Sequence, residues 1–312
     1  MKNKGYHYPD RVSGADEGLT IAAFYALRYP HSTEAEWRLK IEAGDVLRNG
    51  LAASPDDILR RGDTLVYFRR PWEEPEAPTD FATLYEDADV LALDKPAGLP
   101  VLPGGFFLER TLLHLVRQRY GPACSPLHRL GRGTSGAILF TRNRGAARAL
   151  ARAMFERRIL KVYLALASGT TMPDVFSVDA PIGPVPHTLP ASVNAYRPDG
   201  RPSTSHVRVL RRFPERNAAL VEVTIPTGRP HQIRIHLSYA GYPLVGDPLY
   251  RTGGLPCADG FDDEWTTTPG ATGYLLHSWK MRFPHPSRGK DVEVVSPPAA
   301  ALDPDQALPP SA

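Results

Sequence analysis

Leu127-His128-Arg129-Leu130-Gly131-Arg132-Gly133-Thr134-Ser135-Gly136-Ala137-Ile138-Leu139-Phe140 is the stretch from which the rest of the sequence can be read. Gly131, Gly133 and Gly136 let the backbone turn sharply and come close to a ligand. Arg129 and Arg132 place forked, permanently charged donors on that turn, a geometry suited to phosphate. The apolar run Ala137-Ile138-Leu139-Phe140 then reads as a short strand entering a core. Alone, such a turn serves equally well as a structural corner or as an anion-binding loop.

Its surroundings favour the anion. Between Arg129 and Arg158 there are eight arginines against one acid, Glu156, in a chain whose formal net charge is only +3. A basic face beside a glycine-rich turn points to a polyanionic partner. The 312 residues suffice for one large domain and one small one. No run approaches the ~20 apolar residues of a membrane span, and the lysines at the N-terminus are not followed by the apolar core of a signal peptide. A cytoplasmic protein is therefore expected. Cys124 and Cys257 lie far apart and outside any metal-ligand or Cys-x-x-Cys spacing, which predicts free thiols and no structural metal.

Upstream, residues 1–70 read as a compact module. Leu19, Ala22, Ala23, Ala26 and Leu27 recur at helical spacing before Pro30. Ser32 or Thr33 caps a second helix through Trp37, Leu39 and Ile41, with Glu36 placed to close a capping box. Short strands at residues 46–47 and 64–68 follow, punctuated by Gly44, Asn49-Gly50 and Gly62-Asp63. The proline-rich acidic segment 71–79 reads as a linker. Beyond it, residues 90–93 form a buried strand turned by Lys95-Pro96-Ala97-Gly98, and residues 111–120 form a helix closed by Gly121-Pro122. Asn143 caps a helix whose apolar stripe is Ala147, Leu150, Met154 and Phe155. Alternation in the strand from Lys161 to Gly169 sets Val162, Leu164 and Leu166 on one face and Tyr163 on the other. Residues 203–213 and 218–225 pair as antiparallel strands. Pro230 suits the first position of a helix striped by Ile233, Leu237 and Ala240 and ended by Gly241, and the start of that helix is a natural anion site. From residue 297 the chain is proline- and alanine-rich without periodicity, so residues 297–312 are expected to be a disordered tail.

Four stretches in this order resemble motifs of the RluA-type pseudouridine synthase family. They are the opening His-Arg-Leu-Gly-Arg-x-Thr-Ser-Gly, the strand ending Lys95-Pro96-Ala97-Gly98, the Lys161-x-Tyr163 strand, and Thr227-Gly228-Arg229-Pro230-His231-Gln232-Ile233-Arg234-Ile235-His236 with the turn Gly246-Asp247-x-x-Tyr250 after it. Leu275-Leu276-His277-Ser278-Trp279 matches a later family strand. Residues 1–70 are similar to the S-four-type RNA-binding module, with Arg28, Arg38, Lys40 and Arg48 as phosphate contacts. The resemblance implies an α+β fold: a mixed, largely antiparallel bent sheet with flanking helices over residues 80–296, preceded by a small α/β module.

The resemblance also implies a reaction, the isomerisation of uridine to pseudouridine in ribosomal or transfer RNA, without a cofactor or metal; with no exposed seam apparent in the sequence, a monomer is expected. By it, Tyr163 lies beside the base and handles protons, and Arg234 orients a carboxylate. Arg129, Arg132, Thr134, Arg229, His231, Ile233 and Lys95 contact the RNA or the flipped uridine. One position departs from the pattern. The family's catalytic aspartate falls on Gly131, so the carboxylate must come from elsewhere, with Asp94, Asp247 and Glu109 as candidates. The other possibility is a catalytically silent RNA-binding protein that aids RNA folding or ribosome assembly.

Overall fold

The computed structural model describes residues 2–187, 192–251, 253–257 and 272–304. The chain divides into two compact units, Met1–Pro75 and Glu76–Ala312.

The first unit contains β1 (Tyr6–Arg11), α1 (Ile21–Arg28), α2 (Glu34–Glu42), β2 (Val46–Arg48), β3 (Leu51–Ala52) and β4 (Thr64–Arg69). Its sheet runs β1-β4-β2-β3. Thr33 and Glu36 form the expected capping box. The apolar stripe of α1 differs from the expected one: Ile21, Ala22, Phe24 and Tyr25 are buried, while Leu27 is 72% exposed. The reason is aromatic packing. Tyr25 stacks on Trp37 at 4.7 Å between centroids, and two rings bury more surface than a leucine facing the same way. Strand β1 has no apolar alternation in sequence. It exists because its backbone pairs with β4 at the sheet edge, where Pro9 is tolerated. The expected linker begins later than residue 71, since the Asn3 amide donates to the Trp72 carbonyl at 3.1 Å and its side-chain nitrogen to Glu74 at 2.9 Å. The cations expected to meet phosphate are turned to internal partners: Arg28 pairs with Asp10, Arg38 with Asp56 and Arg48 with Asp63, and Lys40 lies 4.2 Å from the Trp37 ring centre.

The second unit contains β5 (Ala82–Glu86), β6 (Val90–Lys95), α3 (Leu112–Tyr120), β7 (Ser125–Pro126), β8 (Ser135–Thr141), α4 (Arg144–Phe155), β9 (Leu160–Ser168), β10 (Val175–Asp179), β11 (Ile182–Pro186), β12 (Ser192–Tyr196), β13 (Thr204–Phe213), β14 (Ala218–Thr224), α5 (Gln232–Tyr239), β15 (Leu276–Pro284) and β16 (Asp291–Val295). Its main sheet has the order β10-β13-β14-β9-β15-β8-β6-β5, with β16 beside β15 and β7 beside β8. All described pairings are antiparallel except that of β15 with β8, which makes the sheet mixed and largely antiparallel as expected. That parallel contact needs a glycine. Gly136 has φ +104°, and any Cβ there would run into the Ser278 backbone.

The central strands read as unbroken apolar runs because both faces of the sheet are covered. Leu91, Leu93, Ile138, Phe140 and Tyr163 face α3 and α5, packing with Leu112, Val116, Ile233 and Leu237. Val90, Ala92, Ala137 and Leu139 face the other way onto Leu150 and Ala153 of α4 and onto Met281 and Phe283.

Three details differ from the sequence expectation. On α4 the buried residues are Ala146, Leu150 and Ala153, and Phe155, placed on the stripe by spacing alone, is 90% exposed. Helix α5 begins two residues after Pro230, with His231 in the left-handed region at φ 59° as its cap. It is buried on all sides from Gln232 through Ser238, so its sequence stripe marks no single face. The first part of the expected tail is ordered: residues 300–302 form a helical turn, and Leu302 packs on Leu164, Leu166 and Phe213. The remainder of that tail lies outside the described residues. Among the described residues no helix is long and apolar enough to cross a membrane, no cluster of His, Cys, Asp or Glu could hold a metal ion, and both cysteines are free thiols.

Candidate functional site

The glycine-rich turn leads from β7 into β8, and β8 pairs with β6 in register with Lys95 opposite Gly136. The Gly131 carbonyl accepts the Thr134 amide at 3.1 Å, closing a tight turn. Lys95 is fully buried beneath it. Its ammonium donates to the carbonyls of Pro96 and Leu99 at 2.8 Å each and of Arg132 at 3.2 Å. Burial pushes the ammonium down to about 7, while three carbonyl acceptors favour the charged form. Lys95 therefore clamps the turn from inside and does not face a ligand, contrary to the sequence expectation.

The turn forms one wall of an open cleft of about 1030 Å³, lined also by residues from α4, β9, β12 and the segment before α5. That volume is at the upper end of small-molecule pockets and admits a nucleotide with its flanking phosphates. Arg129, Gly131, Arg132, Tyr163, Arg229 and His231 all line it, so six of the ten expected site residues converge there. So do Arg157 and Lys161, giving five cations and no carboxylate among the described residues that line it. The Nε of Arg229 is buried with no hydrogen-bond partner, an unsatisfied donor of the kind that a ligand oxygen would complete.

Tyr163 is held on β9 between β14 and β15, opposite Val223 and Ser278. Burial pushes its phenol up to about 12, so it is a neutral hydrogen-bond donor at neutral pH. Lys161, two residues earlier, shares its side of the strand, and burial brings its ammonium down to about 8. The His231 Nδ1 lies 2.9 Å from the Tyr250 hydroxyl, which donates its own proton to the Asn194 carbonyl. Nδ1 must therefore carry the proton, leaving Nε2 as the acceptor. Burial, helped by the Arg234 charge, pushes this imidazole down to about 3, so it is neutral.

The remaining expected residues stand behind the wall. Arg234 is 2% exposed and donates from Nε and Nη2 to the two carboxylate oxygens of Asp247, each at 2.7 Å. Burial works against this charge, but the hydrogen bonds and charge of Asp247 outweigh it and raise the guanidinium above its ordinary value. Asp247 also accepts the amides of Leu249 and Tyr250. It is thus the carboxylate paired with Arg234, but neither residue is among those that line the cleft. Thr134 is buried and bonds the Tyr274 hydroxyl at 3.3 Å, and Ile233 packs in the core with Tyr163 and Leu237. Neither touches the cleft, so the expected ligand contacts at Thr134 and Ile233 are replaced by packing roles. Asp94 accepts the Ser296 hydroxyl at 2.8 Å and, like Glu109, does not line the cleft.

The sequence reading missed four residues. Lys161 was detectable from its i, i+2 relation to Tyr163. Arg157, at the end of α4 with φ 57°, and the exposed Phe155 beside it line the cleft because the helix stops there. Tyr274 left no signal. It sits under the glycine turn with the Arg234 guanidinium 4.2 Å from its ring centre, and a Cβ at Gly131 would lie 2.9 Å from its hydroxyl oxygen.

A family model described as RNA pseudouridylate synthase matches residues 89–239. A Synechocystis sp. protein described as an uncharacterized RNA pseudouridine synthase is 40% identical, over 88% of this chain and 92% of its own length. RNA pseudouridine synthase 5 of Arabidopsis thaliana is 37% identical over 95% of this chain and 93% of its own. Ribosomal large subunit pseudouridine synthase D of Xanthomonas campestris is 34% identical over 93% and 87%. Among solved structures, human RNA Pseudouridylate Synthase Domain Containing 1 is 25% identical, with a TM-score of 0.55 over 74% of this chain and 89% of that one.

Proposed function

This chain belongs to the RNA pseudouridylate synthase family, and from that premise we propose that it isomerises uridine to pseudouridine in ribosomal or transfer RNA, acting as a cytoplasmic monomer without cofactor or metal. The observation that carries the reading is the cleft itself, in which a buried phenol shares one cavity with five cations. A uridine inside an RNA stack must be extruded before its glycosidic bond can be reached. The cations Arg129, Arg132, Arg157, Lys161 and Arg229 hold the flanking phosphates, and the unsatisfied Arg229 Nε is completed by one of them. Phe155 offers an exposed ring at the rim on which a neighbouring base stacks. The neutral Tyr163 phenol sits beside the base as a hydrogen-bond donor and proton relay. We assign the first unit, residues 1–75, as the S-four-type RNA-binding module. The arginines expected to meet phosphate there, Arg28, Arg38 and Arg48, are engaged in internal ion pairs, so the stronger grip on RNA comes from the cleft.

One observation favours the second reading, a silent RNA-binding protein: Gly131 stands where the family resemblance implies an aspartate, and among the described residues no carboxylate lines the cleft. Tritium release from RNA labelled at uracil C5, with bulk unmodified ribosomal and transfer RNA as substrates, separates the two. Release establishes the synthase. Tight binding without release from any RNA establishes the silent form.

A further inference from the structure

The side-chain direction of Gly131 leads straight to an oxygen. A Cβ built there would lie 2.9 Å from the Tyr274 hydroxyl oxygen and 3.3 Å from Thr134 Oγ1. In an aspartate the carboxylate oxygens stand about 2.4 Å from Cβ by ordinary bond geometry. The phenol oxygen therefore occupies the shell that the carboxylate oxygens of an aspartate at this position would fill.

The placement is built by the surrounding fold. A Cβ on Gly133 would lie 3.0 Å from the Tyr274 ring, so both glycines of the turn make room for it. Just before the tyrosine, Gly273 passes so close to Gly246 that a side chain on Gly246 would strike its carbonyl. This seam brings the segment leading into β15 against the turn that carries Asp247. The ring is 4% exposed, Thr134 bonds its hydroxyl at 3.3 Å, and the Arg234 guanidinium lies 4.2 Å from its centre. The Arg132 charge also falls on this phenol. Tyr274 is not itself among the residues lining the cleft; its hydroxyl stands directly behind Gly131, which lines the cleft and has no side chain to cover that oxygen, with the Arg234 guanidinium over the ring face.

Resting on the function assigned above, we propose that Tyr274 is a catalytic residue: its Oη supplies the ribose-facing oxygen that position 131 lacks. The phenol attacks C1′ of the extruded uridine as the C1′–N1 bond breaks. The electron pair of that bond goes to the base and the phenolic proton follows it to N1, releasing uracil within the cleft. After the base turns, C5 attacks C1′, the C1′–Oη bond returns its pair to the phenolate, and the proton on C5 passes back to Oη. Atoms and electrons balance without a co-reactant. Tyrosine serves as the nucleophile at an anomeric carbon in some glycosidases, so the chemistry is within reach of a phenol.

The test is tritium release by the full chain and by Tyr274→Phe, Gly131→Asp and the double variant, with RNA affinity and thermal melting measured on each. Tyr274→Phe keeps the ring over Arg234 and removes only the oxygen. The expected result is release by the natural protein and a loss of roughly 10³-fold or more in Tyr274→Phe, with RNA affinity unchanged. Gly131→Asp alone forces its Cβ against the hydroxyl and is slower than Gly131→Asp/Tyr274→Phe, in which the carboxylate occupies the vacated space and restores release. The proposal is overturned if Tyr274→Phe retains the natural rate. It is equally overturned if the natural protein is silent while the double variant is active, since Tyr274 is then a plug in a site that is otherwise a synthase. Silence of both, with RNA still bound, overturns the tyrosine and the synthase reading together.

Discussion

Replacing Asp247 with alanine tests the buried centre of the larger unit. The side chains of Arg234 and Asp247 are 2% and 1% exposed, so solvent does not screen the pair and cannot rehydrate the survivor. The substitution removes two charge-assisted hydrogen bonds of 2.7 Å and the acceptor of two backbone amides, and leaves a guanidinium in the interior without its carboxylate. Breaking a buried pair from one side costs about 3–5 kcal/mol. The rings of Tyr274 and Tyr250, 4.2 and 5.0 Å from the guanidinium, remain. They hold back on the order of 1–2 kcal/mol of that loss, so a cost of about 3 kcal/mol is expected. For a unit of this size that shifts the melting transition by about 6–12 °C. Scanning calorimetry of the full chain reads it, alongside Arg234→Met and the double variant Asp247→Ala/Arg234→Met. The double variant recovers much of the loss, because an apolar side chain in place of the ion carries no desolvation cost. A drop below about 1 kcal/mol in Asp247→Ala, or a double variant no better than the single, would refute the claim that an uncompensated buried charge dominates.

Phe155→Ala weakens RNA binding by about 1–3 kcal/mol, the worth of one stacked base, and leaves the melting temperature unchanged because the ring is 90% exposed; fluorescence anisotropy with labelled RNA checks both arms. Lys161 is charged below about 8 and loses its proton above it, so RNA affinity falls as pH rises from 7 to 9, and Lys161→Arg, which stays charged throughout, flattens that profile. Asp87 accepts hydrogen bonds from the amides of Asp89 and Val90 and from the side chains of Tyr85 and His285. Burial alone would raise its pKa, yet those bonds hold it well below the ordinary carboxylate range. A depressed carboxylate contributes stability that is full above its unfolded value and lost as pH falls through its lower folded value, so Asp87→Ala melts at lower temperature at pH 7 and the difference begins to narrow only below pH ~4, read by melting curves across pH.

The elements legible in the sequence were those that local rules specify. The capping box at Thr33 and Glu36 and the cap at Asn143 satisfy helix ends from residues three positions away. The apolar runs of β6 and β8 could only be strands buried on both faces. The Lys161-x-Tyr163 alternation placed the phenol on the correct side of β9, and the cations of the glycine-rich turn marked the cleft wall. The family resemblance also called for a carboxylate partner to Arg234, but left three acids open.

What spacing could not decide was which side of a wall a polar group faces. Lys95, Thr134 and Arg234 carry the chemistry of ligand contacts, yet each is turned inward, Lys95 onto three carbonyls, Thr134 onto Tyr274 and Arg234 onto Asp247. Asp247 was selected over Asp94 because the turn holding it folds onto α5, a contact between segments 13 residues apart that no local pattern encodes. The length of an element is likewise set by what packs on it, which is why β1 and the turn at residues 300–302 were unforeseen. Tyr274 and Gly131 are 143 positions apart, and their meeting depends on the parallel pairing of β15 with β8. The sequence alone determined the family resemblance, the basic character of the cleft and the missing side chain at Gly131. The tertiary structure decided which oxygen stands behind that gap, since through-space proximity across a sheet depends on strand order, which periodicity does not record.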